Sequence, residues 1–564
     1  MRRLAFGIAI LSGIAAAAPP RNLNVAKDLL KANQTGGNVD VVVLFAHPPT
    51  ALHHRKVTTL GGALKQELHL INGGSYSIPA GKIALLATDP EVKFVAPDRK
   101  LHMLLDNTTA AVNAPAAWSL GLDGSGVGVA VIDSGISEHN DLQGTNGSRV
   151  VFRASFVGSD AKDYFGHGEH VAGILAGNGA DSKCDSCTRT LAGVAQNANI
   201  IDLRALDSTG QGTDSSVIAA IDEAIQLKDQ YNIRVINLSV GRPVFESYLN
   251  DPLCQAVEAA WKAGIVVVVA AGNQGRNNAA GNNGYGTITA PGNDPYVITV
   301  GAMKSVGTPQ RADDLIASYS SKGPTQVDHI IKPDLVAPGN MVVSLMSPDG
   351  ALQTTYPQNT VGVNYYQSTS SSGLSSSYLM LSGTSMAAPV VSGAAALLLQ
   401  AHPELTPDQV KAKLMRTAYK SFPAQSTAYD RVTGQPFTSE YDVFSVGAGY
   451  LDIGAALADN TAFSGTALSP VASYLRLYST VSKKAYIMCA SSSVCGNQSN
   501  GSLWTAQNIW GSQLIWNDSA VTGDQSIWDD QSIWDDQSIW DDQSIWDDVN
   551  SSAAATGIAI NGEE

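Results

Sequence analysis

The chain has 564 residues, 44% of them apolar, five cysteines and a net charge of −15. An acidic balance without a basic block argues against a nucleic-acid partner, and so few cysteines over this length rule out a fold held by a disulfide framework. The length leaves room for more than one folded unit and for one large core.

Met1-Arg2-Arg3 and the apolar run Leu4 to Ala18 have the charged start, short apolar centre and small-residue end of a secretory signal peptide, residues 1–18. The run is too short to span a bilayer. Val266 to Ala271 reads as a buried strand, so no transmembrane segment is expected and the location is secreted, extracellular or periplasmic. Cleavage is expected near Ala17 or Ala18, with Pro19 leaving the bond open.

Residues 19–105 read as a small α+β unit with helices on an antiparallel sheet. Its strands are Val39 to Phe45, a run near Lys82 to Ala87, and a closing strand Val92 to Ala96, with a His- and Lys-bearing helical stretch after the first. In residues 106–457, strand runs (127–132, 199–204, 234–240, 265–270, 297–302) alternate with helical ones (216–227, 253–263). That alternation predicts an α/β fold, a mostly parallel sheet with helices on both faces and ligands beyond the strands' carboxyl ends.

Four stretches place reactive groups, two at such strand ends and two at helix starts. The strand run Val127 to Ile132 ends in Asp133 and a Ser134-Gly135 turn, and Val266 to Ala270 leads through Ala271-Gly272 to Asn273. In Asp163-Tyr164-Phe165-Gly166-His167-Gly168-Glu169-His170, a histidine between two glycines begins a small-residue helix. Gly383-Thr384-Ser385-Met386-Ala387-Ala388-Pro389 sets a serine where an apolar helix begins. A helix of that composition is buried on all sides, and its free N–H groups favour developing negative charge. Pro389 is expected in the first turn, where its missing N–H has no helical partner. Each stretch alone reads as a turn or a cap; four in register do not.

The order Asp, His, Ser is that of subtilisin, not of chymotrypsin or the α/β-hydrolases. Over roughly Ala110 to Leu457 the chain resembles the subtilisin-like serine proteases. The resemblance implies a secreted serine endopeptidase, made as a zymogen and acting on protein or peptide substrates. Ser385 is then the nucleophile, His167 the general base and then acid, and Asp133 the carboxylate that orients the imidazole. Asn273 is the oxyanion donor, together with the Ser385 backbone N–H. An extended substrate would add as a strand between Ser208–Gly212 and Ser239–Pro243, touching Gly210, Gly212, Ser239, Val240 and Gly241. No cofactor is required for the chemistry, and structural calcium is left open. Asp141 matches one family ligand, but the loop supplying its partners is replaced by a stretch bearing Cys184 and Cys187. Residues 19–105 resemble the family's inhibitory prosegment, which assists folding and then blocks the cleft until cut, here within Leu101 to Ala111. A reading from another class stays open: a non-catalytic secreted binding or adhesion protein on a protease fold.

Three residues depart from the family pattern or invite a second role. Glu169 stands where the family has threonine; near the cleft it would raise the imidazole pKa and move the activity optimum upward. His170 reads as a packed structural histidine. Arg242 replaces a glycine and either rims the pocket with positive charge or points to solvent. Pro348 to Ser377, rich in Ser, Thr, Tyr and Gly, reads as a surface loop near the site. Local disulfides are expected for Cys184–Cys187 and Cys489–Cys495, leaving Cys254 as a buried small hydrophobe.

Residues 458–564 form an extension in which Trp504, Trp510, Trp516, Trp528, Trp534, Trp540 and Trp546 share a register of six. Six is even, so a strand keeps the tryptophans on one face, whereas a helix scatters them; a β-rich or extended tail is expected. Residues 501–564 carry −12 of the −15 charge.

Overall fold

A computed structural model describes residues 24–26, 29, 37–68, 71–97, 105–279, 282–368, 373–475, 484–489, 493–494 and 562–563. The signal segment, Cys495 and the tryptophan repeats lie outside these residues. The chain divides into two compact units, Met1–His102 and Met103–Glu564.

The first unit is a four-stranded antiparallel sheet ordered Ala63–Leu68, Gly73–Pro79, Asn38–Phe45 and Val92–Pro97, with a helix at Ala51–Thr59. Val41, Val43, Phe45, Tyr76, Ile78 and Ile83 form the centre of its core. The strand expected near Lys82 to Ala87 is instead helical, Ile83–Leu86 following a tight turn at Ala80–Lys82. Its burial explains why: Ile83, Leu86 and Ala87 are buried while Leu85 is 55% exposed, a spacing of three and four rather than two. Ala63–Leu68 gave no sequence signal because this edge strand is exposed along nearly its whole length.

The second unit is built on an eight-stranded sheet. Its strands run in the order Leu315–Ile316, Ile298–Lys304, Val266–Ala270, Ile233–Leu238, Gly128–Asp133, Asn199–Arg204 and Val150–Ser155, with Leu335–Pro338 pairing onto Ile298–Lys304. Every pairing is parallel except that of the short Leu315–Ile316 strand. Gly128–Asp133 and Val266–Ala270 are buried throughout, so they read as continuous apolar runs rather than alternating ones. The helices Asp214–Gln226 and Pro252–Lys262 pack together on the sheet, and so do His167–Ala176 and Thr384–Ala401. Among the described residues, Thr384–Ala401 is the one helix long and apolar enough to cross a membrane, and it is buried in this core.

One expectation about a connection is corrected. Pro348 to Ser377 is not a bare loop: it holds a helix (Ala351–Thr355) and strands (Thr360–Gly362, Leu374–Leu381) that complete a three-stranded sheet with Val342–Leu345. Buried Leu352, Tyr365 and Tyr366 anchor it, spaced too widely among Ser and Thr to give a periodic signal. Leu105–Ala111, within the polar stretch proposed for cleavage, is a helix whose Asn107, Thr108 and Thr109 are buried. Cys184 and Cys187 form a disulfide, and Cys254 is a buried thiol.

Candidate functional site

Three adjacent strands end side by side, and each delivers one polar group. Asp133 closes Gly128–Asp133, Ser239 follows Ile233–Leu238, and Asn273 lies three residues beyond Val266–Ala270. His167 and Ser385 meet these strand ends from two helix starts, His167–Ala176 and Thr384–Ala401. Phe165, His167, Ser239, Asn273 and Ser385 line one cleft of about 510 Å³.

Asp133 is 1% exposed, and its Oδ1 accepts from His167 Nδ1 at 2.7 Å and from the Ser134 N–H at 2.8 Å. Burial opposes protonation of the imidazole, but the charge and hydrogen bond of Asp133, with Asp163 adding, outweigh it and raise the His167 pKa. A carboxylate so placed fixes the tautomer with the proton on Nδ1 and leaves Nε2 as the base.

The start of the histidine helix is held by an acid that the sequence reading left without a role. Asp163 Oδ1 accepts from the Gly166 N–H (2.7 Å), the Phe165 N–H (3.1 Å) and Ser134 Oγ (2.8 Å), and its Oδ2 accepts from the Glu169 N–H (2.8 Å). An acid a few residues before a helix start is a capping signal worth about 1 kcal/mol, and it was legible in Asp163-x-x-Gly166-His167. Burial raises the Asp163 pKa against these bonds, and the neighbouring Asp133 charge raises it further.

Ser385 is gripped through its backbone. Pro389 is not in the first turn, as expected, but inside the helix that begins at Thr384. Its missing N–H would have bonded the carbonyl four residues back, which is that of Ser385. Ser239 Oγ takes the vacant place, donating to Ser385 O at 2.9 Å. Beneath it Asn237 Nδ2 donates to Ser239 Oγ (3.0 Å), and Ser392 Oγ donates to Asn237 Oδ1 (2.8 Å), a buried polar chain with no signal in the sequence. The Ser385 hydroxyl itself donates to Ser239 O at 3.2 Å.

Asn273 Oδ1 accepts from the Thr384 N–H (2.8 Å) and Thr384 Oγ1 (3.1 Å), which fixes the amide orientation and keeps its N–H groups as donors. Gly383, at φ +149°, lies beside them: a Cβ there would sit 3.2 Å from Asn273 Nδ2 and 3.6 Å from the Ser385 nitrogen. Any side chain at this position would crowd the space that the two donors share.

Gly210, Gly212, Ser239, Val240 and Gly241 all line the cleft. Arg242 also lines it but points neither to solvent nor as a lone charge into the pocket. Its guanidinium holds Asp214 at 2.8 Å and Asp251 at 2.9 Å, so two carboxylates neutralise it. Glu169 is fully buried and does not line the cleft, contrary to expectation. Its Oε2 accepts from the Ser137 N–H at 2.5 Å, and burial, with the nearby Asp163 charge, pushes its pKa up to about 8. His170 is buried, with Nε2 3.1 Å from both Val342 O and Leu379 O, and burial, with the His167 charge, lowers its pKa to about 3.

Among the described residues, His139, Asp141 and Asp181 form the one cluster with metal-ligand geometry. Its donor atoms are already engaged. Asp141 accepts from the Asp181 N–H (2.7 Å) and Tyr378 Oη (2.9 Å), and Asp181 accepts from Asn140 Nδ2 (2.9 Å) and Ser377 Oγ (2.7 Å). His139 Nδ1 accepts from the Asp141 N–H (3.1 Å), while Nε2 faces the Ser377 carbonyl (3.1 Å) and must carry the proton. The cluster as folded is a hydrogen-bonded knot in which each carboxylate oxygen accepts one of these bonds.

Comparison with known proteins agrees with the chemistry of this cleft. Residues 124–443 match the Subtilase family, Peptidase S8. The serine protease AprX of Bacillus subtilis (strain 168) is 37% identical over 358 residues, covering 62% of this chain and 74% of that protein. Subtilisin E of the same organism is 34% identical over 369 residues, 64% of this chain and 79% of the relative. The alkaline protease of Alkalihalobacillus alcalophilus is 32% identical over 360 residues, with 63% and 76% covered.

Proposed function

This chain belongs to the subtilase family and is a serine-type endopeptidase, and we propose that it cleaves protein chains through an acyl-enzyme on Ser385, with His167 as base and Asp133 as its orienting carboxylate. The binding-protein reading is not favoured. The observation that carries the proposal is the 2.7 Å bond between Asp133 and His167 at the cleft that Ser385 and Asn273 also line. With substrate in place the Ser385 hydroxyl leaves the Ser239 carbonyl for His167 Nε2 and attacks the scissile carbonyl carbon as its proton passes to the imidazole. Apo active sites commonly hold such bonds in a looser arrangement that tightens on binding. The oxyanion takes its hydrogen bonds from Asn273 Nδ2 and the Ser385 N–H. The imidazolium, stabilised by Asp133, returns its proton to the leaving amine, and water then hydrolyses the ester by the same route. The substrate lies extended between residues 208–212 and 239–243, bonded through its backbone.

Residues 1–18 are proposed to direct secretion and residues 19–105 to serve as an inhibitory prosegment of a zymogen. Processing is proposed within residues 101–111, where a cut inside the helix Leu105–Ala111 would have to expose the buried Asn107, Thr108 and Thr109. A fluorophosphonate should label the wild-type protein and not Ser385→Ala. If the enzyme processes itself, mass spectrometry of Ser385→Ala should show residues 19–105 retained. Equal labelling of both proteins would remove Ser385 from the nucleophile role.

A further inference from the structure

Glu563 lies beyond the acidic repeats, yet its side chain is fully buried on the catalytic unit. A carboxylate is removed from water at high cost unless it is paired and hydrogen-bonded. Here Arg276 Nη2 meets it at 2.8 Å, the Ser318 N–H donates at 3.0 Å, and Ser318 Oγ donates as well. Asn340 reads the backbone of the same residue in both directions: its Oδ1 accepts from the Glu563 N–H (3.0 Å) and its Nδ2 donates to the Glu563 carbonyl (2.9 Å). Asp430 pairs with Glu563 as an antiparallel bridge, and its carboxylate holds Arg276 Nη1 at 2.6 Å. The guanidinium lies 4.5 Å from the Phe437 ring centroid. Gly562, at φ +61°, has no room for a side chain, since a Cβ would fall 2.6 Å from Ser382 Oγ and 2.9 Å from Met341 Cγ.

We propose that Arg276, Ser318, Asn340 and Asp430 form a docking site for a Gly-Glu peptide segment, occupied by this chain's own Gly562–Glu563, which fastens the far end of the acidic tail to the catalytic unit. Every element of the pair is read: the glycine by close packing, the glutamate backbone by an amide, its carboxylate by a guanidinium and a serine. The site adjoins the catalytic machinery without touching substrate. Arg276 is three residues past Asn273, and Ser382 and Asn340 flank Gly383 and Gly339, which are bonded to each other at 2.8 Å. Docking therefore braces both segments that carry the oxyanion donors, which makes Arg276 and Asn340 positioning residues. An occupied site should raise kcat and leave KM unchanged.

The test uses the intact Ser385→Ala chain, alone and with residues 562–564 removed, and follows amide exchange at Ser318 and Met341. Removal should speed exchange at least tenfold, and the synthetic peptide Ala-Ile-Asn-Gly-Glu-Glu should restore protection. The same peptide with valine for glycine should not. Unchanged exchange after removal overturns the proposal, and so does a loss that the peptide cannot reverse or that the valine peptide reverses equally. In active enzyme, Glu563→Gln should lower kcat at constant KM. A dimer that dissociates on that substitution would give the segment to a second copy and overturn its assignment to the chain's own site.

Discussion

Around His167 the protein buries four carboxyl groups, Asp133, Asp163, Glu169 and Asp202, whereas around Ser385 it places the amides and hydroxyls of Asn237, Ser239, Asn273, Thr384 and Ser392. Only Asp133 of the four acids touches the imidazole. Burial raises the pKa of Asp163, Glu169 and Asp202, and for Asp202 the Arg153 guanidinium at 3.1 Å offsets part of that rise. The contrast follows from which charge arrives where. In the proposed mechanism a proton comes to the histidine side and is best met by a fixed carboxylate. In the same mechanism negative charge develops on the serine side, where dipoles already locked by Thr384 and Ser239 need no reorganisation.

The largest effect should come from removing the one acid in contact. Asp133→Asn keeps the shape but inverts the hydrogen bond that sets the tautomer, and kcat should fall about 10,000-fold. A loss below tenfold would mean that Asp163 or another acid orients His167. On the opposite side, Asn273→Ala should cost about 100- to 1,000-fold in kcat with little change in KM, a magnitude carried over from a subtilisin. A rise in KM with kcat unchanged would instead make Asn273 a ground-state contact.

The two halves also differ in how far the sequence revealed them. Asp133, His167, Asn273 and Ser385 stood out because each ends a continuous apolar strand or opens a small-residue helix, patterns set by burial on both faces. Asp163 was visible as a cap but was read only as context. Asn237, Ser239 and Ser392 acquire their connected roles from Pro389, whose place inside the helix depended on a boundary that composition could not fix. Arg242 was ambiguous because its partners lie at sequence distances of 28 and 9 residues. Glu169 misled for a different reason: it lies two residues from His167 in sequence, but helical positions two apart do not face each other, and its partner is Ser137.

The buried acids carry a stability cost that the serine side lacks. Glu169 ionises near 4.5 when unfolded and at about 8 when folded. A raised folded pKa means the contribution is fully present below the unfolded value and is lost as pH climbs through the folded one. Across pH 4.5 to 8 the wild type should therefore lose stability, on the order of a few kcal/mol, relative to Glu169→Gln, which cannot ionise. Denaturant midpoints of the two proteins should diverge over that window. Parallel curves would show that Glu169 is already charged and paired in the fold.

The smallest expected effect tests whether the serine side stays electrically quiet where substrate binds. Arg242 is the cation on that wall, and Asp214 and Asp251 bind it on two sides. Its field at the pocket is then that of a compensated cluster, so a carboxylate on the residue before the scissile bond gains no more than an exposed ion pair, at most ~1 kcal/mol. Matched peptides with Glu or Gln at that position should differ in kcat/KM by less than about fivefold, the factor that energy corresponds to. The difference should shrink further as salt is raised. A preference of a hundredfold or more for Glu would show that substrate displaces one of the two aspartates, turning this half of the cleft into a charged site as well.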